Sequence, residues 1–483
     1  MKIHASWNII LFAIGIIFGD ILANILQLKF FSSWLWLVLS ILLLVFSIIV
    51  SRVPFLLLAF ASGFILISFR VAPNFLAQDI YQDLYNQVAT ISGQVSKDPD
   101  ESNGKLNLAL NNLVLENGTK LSGTLFTQVV NLDVRRSDYL TISGELLPSF
   151  GTYSASIFRP EIVNLARPEP GDLFLQIRDF FAQGIKDYLP AKEVSIGLGY
   201  LLGQKSGVDE SFSEALRVVG LTHIIVTSGA HLGILIGVAR KIFGKISRFA
   251  SLLFSIIFTI IFIGITGVSA SMLRASFVVI LSLICWYYGR HIHPARLILL
   301  AAATTLIISP SYISELGWLL SFASFSGIMI VAPFLTKFFY GPQRKPGFLP
   351  STIISTLSAS ILCIPILLYF FGSISLISIF ANLLILPTIS IAMGLTFLTG
   401  VFAIFLPFLA NLVSKLALIV FDYQIIVVEF FYDKKMFLVE LPSENPLVFL
   451  LYLPVAAIAI IKFFLYLKAR RRPPSKFIKP MLA

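Results

Sequence analysis

The sequence GLTHIIVTSGAHLGILIG, residues 220–237, is apolar enough to lie in a bilayer, yet polar and small side chains interrupt it. Its polar members are Thr222, His223, Thr227, Ser228 and His231. Because an ionisable side chain in hydrocarbon is costly, such residues usually face a cavity or another helix. We therefore predict that this segment forms part of the functional site and that the rest of the chain surrounds it.

The composition of the whole chain indicates a polytopic membrane protein. It has 57% hydrophobic and 13% charged residues and a mean hydropathy of +0.89, whereas water-soluble domains carry about 25% charged residues. Runs of apolar residues predict about 12 transmembrane helices. The predicted spans are 7–26, 34–50, 53–69, 221–239, 250–266, 268–288, 296–309, 315–335, 350–370, 388–408, 410–430 and 447–467. No small-residue cleavage site follows the first span, so we expect it to remain as a helix.

The distribution of charge predicts the orientation in the cytoplasmic membrane. The net charge is +11, but residues 71–170 contain seven Lys/Arg against eleven Asp/Glu. Basic residues instead follow alternate spans, as the positive-inside rule requires of cytoplasmic loops. They are Arg240, Lys241, Lys245, Arg248, Arg290, Arg296, Lys337, Arg344, Lys345, Lys468, Arg470, Arg471 and Arg472. Both termini are then cytoplasmic and the acidic segment is extracytoplasmic. Direct contact between these cations and a polyanion is the alternative.

The acidic segment has the period-two pattern of β-strands. Five strands are predicted, at 88–95, 106–115, 121–130, 139–146 and 156–165, with turn residues between them. A small five-stranded barrel of the OB type fits this number. OB folds often bind single-stranded nucleic acid through stacking aromatics, but Phe126, Tyr139, Tyr153 and Phe158 are equally compatible with the barrel core.

Three shorter elements precede the opening segment. Residues 172–189 have the spacing of an amphipathic helix lying on the outer membrane surface, with Arg178 and Asp179 on its polar side. Residues 194–203 are apolar but too short to span and are glycine-rich, which suggests a partly inserted element. A second helix is predicted at 210–219.

Further candidate site residues lie in later spans. Arg274 follows Ser269 and lies about six residues into its span, or about 9 Å deep, so it either lines a path or snorkels to the outer interface. Glu315 could pair with Arg274 or form a solvated helix N-terminus. The run that contains Asn382 and ends at Pro387 is either a re-entrant or broken helix, or a proline-kinked one.

The sequence offers no complete enzyme or metal signature. Ser228 and His231 suggest an intramembrane serine hydrolase, but Val226 stands where such enzymes want glycine, and no third orienting group is evident. The H-x-H pair and the two cysteines complete no zinc site, and no nucleotide-binding glycine loop occurs. We therefore expect no catalytic site, cofactor or metal, with energy for transport supplied elsewhere. The H-x-H histidines are His291 and His293, and the cysteines are Cys285 and Cys363.

Four ordered motifs together resemble the ComEC competence family. Residues 220–233 are similar to its GLTHLLAISGLHVG signature and 266–275 to its TG…S…RA motif. Residues 315–322 are similar to DxGFQLSF and 382–387 to NLLAIP. The chain departs from the family at Leu319 (usually Gln), Glu315 (usually Asp) and Ala230 (often Leu). It also lacks the HxHxDH motif of the metallo-β-lactamase-like domain found in many members, so we expect no nuclease activity.

The resemblance implies a mostly α polytopic membrane protein with an inserted OB-like β-barrel, which passes single-stranded DNA inward across the membrane. It also implies an extracytoplasmic DNA receptor and a cytoplasmic ATP-driven translocase as partners, membrane lipid around the helices, and compatibility with a homo-oligomer. We predict N-terminal transmembrane helices in 1–70, the OB-like domain in 71–170, surface and re-entrant elements in 171–220, the channel domain in 221–470 and a basic cytoplasmic tail in 471–483.

The predicted DNA path combines polar side chains and small residues from several spans. Arg274, together with His231, would contact phosphates, and Gly229 and Gly233 would let the backbone approach closely. The residues assigned to the path are Ser228, Gly229, His231, Gly233, Ser269, Arg274, Glu315, Ser321, Asn382 and Pro387. A transporter of another solute or lipid and an intramembrane hydrolase remain the alternatives.

Overall fold

A computed structural model describes most of the chain as a bundle of apolar helices with one β-barrel. The described residues are 6–50, 55–102, 104–130, 132–148, 153–169, 171–204, 209–225, 228–341, 346–375, 377–433, 438–440, 442 and 445–452. Arg344, Lys345, the basic tail and most of the last predicted span, 447–467, therefore lie outside them.

The helices of the described part follow the predicted spans closely. Nine helical segments are long and apolar enough to cross a membrane, and Trp34–Val50 and Pro294–Ile308 are shorter apolar helices. Together they account for eleven of the twelve predicted spans and confirm a polytopic membrane protein. The helices are α1 Ser6–Leu26, α2 Trp34–Val50, α3 Leu56–Leu84, α4 Leu173–Lys186, α5 Ala191–Leu202, α6 Glu210–Val219, α7 Thr222–Ile225, α8 Gly229–Phe243, α9 Arg248–Thr266, α10 Ala270–Tyr287, α11 Pro294–Ile308, α12 Leu316–Ser326, α13 Ala332–Tyr340, α14 Phe348–Phe371, α15 Ile377–Phe405 and α16 Pro407–Asp433.

Two helices are longer than their sequence patterns predicted. Helix α3 continues past residue 70 and carries the chain as one helix to Leu84, just before the barrel. Helix α15 contains Pro387 in its interior, so the re-entrant interpretation is wrong and the single-helix alternative is correct. A membrane helix tolerates such a proline because neighbouring side chains satisfy the freed backbone groups. Close to this proline, the Tyr423 hydroxyl of α16 also donates to the Leu384 carbonyl, at 3.4 Å.

The β domain is a closed OB-like barrel. Its strands are β1 Val88–Val95, β2 Asp100–Ser102, β3 Lys105–Leu115, β4 Lys120–Leu121, β5 Leu125–Val129, β6 Tyr139–Leu147, β7 Ala155–Phe158 and β8 Glu161–Ala166. The ring runs β1-β3-β5-β7-β6 and closes through β6–β1, with β5 and β7 parallel. Its five strands confirm the predicted barrel. The last predicted strand is divided into β7 and β8, with Arg159 at φ 53° between them.

Alternate residues of the ring strands fill the barrel interior, and the predicted aromatic residues lie outside that core. Ile91, Leu110 and Ile142, for example, are fully buried. Phe126 is on the opposite face of β5 from the core residues Leu125 and Val129. Its ring centroid lies 5.1 Å from that of Tyr153 and 5.9 Å from that of Phe158, while Tyr139 is exposed. Nucleic-acid binding by this face stays a prediction.

The barrel rests on one end of the helix bundle. Arg136 donates from Nη2 to the Gly264 carbonyl near the end of α9, at 2.7 Å. Arg178 of α4 pairs with Asp98 of the barrel at 2.6 Å and is buried. Arg178 thus lies on the polar side of α4 as predicted, but the barrel covers it there. The basic loop before Arg248 lies at the other end of α9, about 28 Å away for 19 residues.

The glycine-rich element before the site is a short buried helix. All residues of α5 from Val194 to Leu202 are buried, and they join an apolar cluster with residues of α15 and α16. Helix α6 coincides with the predicted helix at 210–219. These two helices position the segment that follows Gly220.

Candidate functional site

The structure interrupts the apolar stretch after Gly220 where the polar residues are concentrated. Gly220 ends α6 at φ 77°, and a Cβ there would lie 2.8 Å from the Cβ of Ser378. Both the positive φ and this close contact require glycine. One turn, α7, follows, and α8 begins at Gly229 after Ser228 in extended conformation. Thr227 lies outside the described residues.

Ser228 and His231 form the N-terminal cap of α8. The imidazole Nδ1 accepts the backbone N–H of Ser228 at 3.0 Å and lies 3.1 Å from the Ser228 hydroxyl oxygen. His231 occupies the third helical position and reaches back to the cap amide, as Glu or Gln does in a capping box. His231 is buried, and its Nε2 has no hydrogen-bond partner among the described residues. Its geometry is explained by the helix cap alone.

A buried polar chain continues from His231 into three other helices. The His231 ring stacks on Tyr200 of α5, with centroids 5.6 Å apart. The Tyr200 hydroxyl donates to Gln424 Oε1 at 3.1 Å, and Gln424 Nε2 donates to the Thr388 hydroxyl at 2.8 Å. We call Tyr200, His231, Thr388 and Gln424 the histidine cluster. Tyr200, Thr388 and Gln424 were not among the predicted site residues, although a polar residue such as Gln424 within the apolar span 410–430 indicates a candidate position.

Arg274 is at the centre of a second polar group. Its Nε donates to the Ser321 hydroxyl at 2.6 Å, and the Ser271 hydroxyl lies 3.2 Å from that of Ser321. The guanidinium carbon lies 4.9 Å from the ring centroid of Phe325, within range for a cation–π interaction. We call Ser271, Arg274 and Ser321 the arginine cluster. Arg274 is only 8% exposed, so it is held between α10 and α12 and does not snorkel to solvent.

Gly229 brings the start of α8 against the arginine cluster. A Cβ at Gly229 would lie 2.9 Å from the Cβ of Ala275 and 3.2 Å from Arg274 Nη2. Gly229 therefore packs closely against α10, whereas a Cβ at Gly233 would meet open space. The approach of both glycines to DNA stays a prediction. Helix α8 thus contacts both polar clusters through neighbouring residues, Gly229 and His231.

The remaining predicted path residues lie around these clusters. Ser269 caps α10 by accepting the Met272 N–H at 3.3 Å. Glu315 lies at the barrel end of α12, 3.8 Å from Lys97. The suggested pairing of Glu315 with Arg274 is therefore wrong, because Ser321, almost two turns further along, is the residue that reaches Arg274. Pro387 lies within α15, as described above.

Asn382 is a buried polar residue on α15. It is 8% exposed, and its Oδ1 has no hydrogen-bond partner in the described part of the chain. His223 of α7 lies beside it. The structure therefore places Asn382 next to the segment that precedes α8.

The described residues contain no group of three or more His, Cys, Asp or Glu side chains that could hold a metal ion. Cys285 and Cys363 are both free thiols. The two polar clusters consist of hydroxyl, amide, imidazole and guanidinium groups, which suit hydrogen bonding and contact with anions.

Comparison with known proteins identifies the family. A model of the competence protein family matches residues 200–466, more than half of the chain. ComE operon protein 3 of Bacillus subtilis (strain 168) is 30% identical over 220 residues. That match covers 44% of this chain and only 27% of the relative, so the chain corresponds to about a quarter of that relative's length. No solved structure gives a significant match. Both polar clusters have members within the matched region, and the chain belongs to the competence protein family.

Proposed function

We propose that this protein is a membrane channel that passes single-stranded DNA into the cytoplasm during natural transformation. The observation that carries the proposal is Arg274, a buried cation with no carboxylate partner among the described residues. A buried charge is normally paired, because removing it from water is costly. The phosphates of a passing strand would supply the missing counter-charge.

The surroundings of Arg274 support contact with a phosphate chain. Its Nε is held by Ser321, and its Nη2 points towards Gly229 at the start of α8. A helix N-terminus offers positive potential to an anion, and the cap of α8 leaves the N–H groups of Gly229 and Ala230 for such a group. The guanidinium and the first turn of α8 are therefore arranged to bind the same negative group.

In the proposed channel, this structure would correspond to a closed state. Arg274 and His231 are each less than one tenth exposed, so a DNA strand requires helices to separate around them. The closed state supports a gated channel, since an open polar pore in a resting membrane would leak ions. The gating signal would come from the DNA or from the partner proteins.

The proposed orientation places the barrel outside the cell. Arg136 and Lys97 attach the barrel to one end of the bundle, and the basic loop at Arg240–Arg248 lies at the other end of α9. Positive loops favour the cytoplasmic side, which makes the barrel extracytoplasmic and both termini cytoplasmic. A DNA receptor outside and an ATP-driven translocase inside would then be the partners, and the chain itself would have no enzymatic activity.

The proposal is tested by transformation of a competent strain in which the native gene is deleted and replaced by variants. We expect Arg274→Gln to lower the entry of labelled DNA and the transformation frequency at least tenfold, with partial recovery in Arg274→Lys. Arg290→Gln is the matched control, because Arg290 is an exposed arginine just after the same helix. Normal transformation by Arg274→Gln, with equal protein in the membrane, would refute the proposed role of Arg274.

An intramembrane hydrolase is the second candidate, favoured by the 3.1 Å separation between the Ser228 hydroxyl and His231 Nδ1. Against it, the same Nδ1 accepts the Ser228 backbone N–H, and no described residue hydrogen-bonds to Nε2. The imidazole therefore lacks the third group that orients a catalytic base. We expect Ser228→Ala to weaken the α8 cap slightly and to preserve transformation. Turnover of a membrane substrate that is abolished in a stable Ser228→Ala protein would favour the hydrolase.

A further inference from the structure

A cavity of about 420 Å³ lies between the ends of α8, α9 and α10, at the end of α9 opposite the barrel. Three basic side chains line it, Arg240, Lys241 and Arg248, together with Ser251 and Trp286. The guanidinium carbon of Arg240 lies 4.6 Å from the ring centroid of Trp286. Neither polar cluster contributes to this cavity, so it is separate from the proposed DNA path.

The cavity carries positive charge without a local counter-ion. The sequence contains no aspartate or glutamate from residue 215 to residue 314, and no acidic residue lines the cavity. Within the described residues, none of the three basic side chains forms an ion pair. The three basic side chains are exposed around an open concave surface, and cations grouped in such a cleft without counter-ions attract anions, so the cavity favours an anionic ligand.

Ser251 provides a hydrogen-bond donor that faces this cavity. It is fully buried, yet its hydroxyl has no hydrogen-bond partner among the described residues. A buried hydroxyl without a partner is costly and calls for an explanation. Helix α9 begins at Arg248, and Ser247 caps it by accepting the Ala250 N–H at 2.9 Å, so the positive end of the helix dipole and the N–H groups of Arg248 and Phe249 lie at the same place. Cations, a hydroxyl and a helix N-terminus together form a site for a phosphate group.

The surroundings of the cavity are those of the membrane boundary. Helix α9 is long enough to cross the hydrocarbon region, so its first residue, Arg248, lies near one face of the membrane. Trp286 has the position of an interfacial aromatic residue. Three apolar side chains beside the cavity, Val238, Ile242 and Phe249, are each more than half exposed, which fits contact with acyl chains.

We propose that this cavity binds the phosphate headgroup of an anionic glycerophospholipid, whose acyl chains lie along Val238, Ile242 and Phe249. Basic pockets between membrane helices on the cytoplasmic side favour such headgroups. A DNA strand would use the same cations but would gain nothing from the exposed apolar side chains. The lipid is therefore the ligand that accounts for both surfaces.

The test measures lipid binding by the full-length protein. Protein in detergent is titrated with phosphatidylglycerol or phosphatidylcholine, and bound lipid is counted by native mass spectrometry. We expect wild type to bind phosphatidylglycerol in preference, and Arg240→Gln and Arg248→Gln each to weaken that binding about fivefold. Ser251→Ala, which keeps all charges, should weaken it about threefold. Lys245→Gln is the matched control, because Lys245 is a basic residue of the same loop that does not line the cavity.

Several results would overturn the proposal. Equal binding of the two lipids would show that no headgroup site exists. An equal loss in Lys245→Gln would show that diffuse loop charge attracts the lipid, and competition by inorganic phosphate at matched concentration would identify a free-phosphate site. If the Arg240 and Arg248 variants lost binding of an oligo-dT probe but kept phosphatidylglycerol, the ligand would be nucleic acid. The melting temperature of each variant is compared with that of wild type, so that a loss of binding can be distinguished from a loss of fold.

Discussion

Replacement of Asp172 is expected to loosen the junction between the barrel and the helix bundle in two separable steps. One carboxylate oxygen caps α4 by accepting the N–H groups of Phe174 and Leu175 at 3.0 and 3.3 Å. The other lies 3.2 Å from Arg136 Nη2, which also donates to the Gly264 carbonyl of α9. Asp172 therefore connects the barrel, α4 and α9 through a single side chain.

The two functions of Asp172 have different magnitudes. In Asp172→Asn the cap is retained, because Asn and Asp are equally good N-caps, but the charge opposite Arg136 is lost. The two side chains are 18% and 8% exposed, and breaking a buried ion pair costs about 3 kcal/mol at the low end of the usual range. Asp172→Ala also removes the cap, for about 1 kcal/mol more. The equilibrium constant for local opening of the junction should thus rise about 100-fold in Asp172→Asn and about fivefold further in Asp172→Ala.

Hydrogen–deuterium exchange of the full protein in nanodiscs measures this opening. Peptides covering the first turn of α4 and the last turn of α9 should exchange faster in the order wild type, Asp172→Asn, Asp172→Ala. Ser137→Ala is a control, since its hydroxyl also lies 3.2 Å from the carboxylate but carries no charge, so it should change exchange much less. An Asn variant that exchanges like wild type would refute the ion-pair argument, and one that exchanges like Ala would refute the cap.

Two further predictions concern packing and pH. In Gly63→Ala the new Cβ would overlap the Phe12 carbonyl oxygen of α1, which should reduce the free energy of unfolding by about 1–3 kcal/mol or more. The melting temperature of the solubilised protein should therefore fall. Gly237→Ala, whose Cβ would meet open space, should leave it unchanged. Equal melting of the two variants would contradict the close packing. The hydrogen bond from Arg167 lowers the pKa of Asp133. Its stabilisation is therefore present above the unfolded pKa of Asp133 and disappears as the pH falls through the folded value. Because Asp133 is 70% exposed, Arg167→Gln should lower the melting temperature only slightly at pH 7. If the difference in melting temperature between wild type and Arg167→Gln persisted in acid, the ion pair with Asp133 would not be its cause.

Local sequence patterns predicted most of the architecture because their causes are local. Hydrophobic length determines a membrane helix, and period-two alternation determines the barrel strands. The polar residues around Ser228 likewise predicted a break, and the structure begins α8 there. The depth of Arg274 within an apolar run left two alternatives open, lining a path or snorkelling, and the structure shows it buried between α10 and α12.

Pairings between distant segments could not be predicted, because local patterns carry no information about them. The helical period placed Arg178 on the polar face of α4, but only the folded chain brings Asp98 to it, 80 residues away. The bond from Tyr200 to Gln424 joins residues 224 positions apart. Glu315 is similar, since its contact with Lys97 depends on where the barrel rests.

If the proposed channel is correct, the arrangement of the two clusters indicates which helices would separate when it opens. Moving α12 away from α10 would break the bond between Arg274 and Ser321, and hydrogen bonds to charged groups contribute about 1.5–3 kcal/mol. Moving α8 away from α10 would lose the packing of Gly229 against Ala275, but would leave Arg274 held by Ser321. The α8 side therefore opens at lower cost, and it also exposes the guanidinium already oriented. A DNA strand that reaches Arg274 is thus expected to pass between α8 and α10, and a disulfide engineered between these two helices should block uptake until it is reduced.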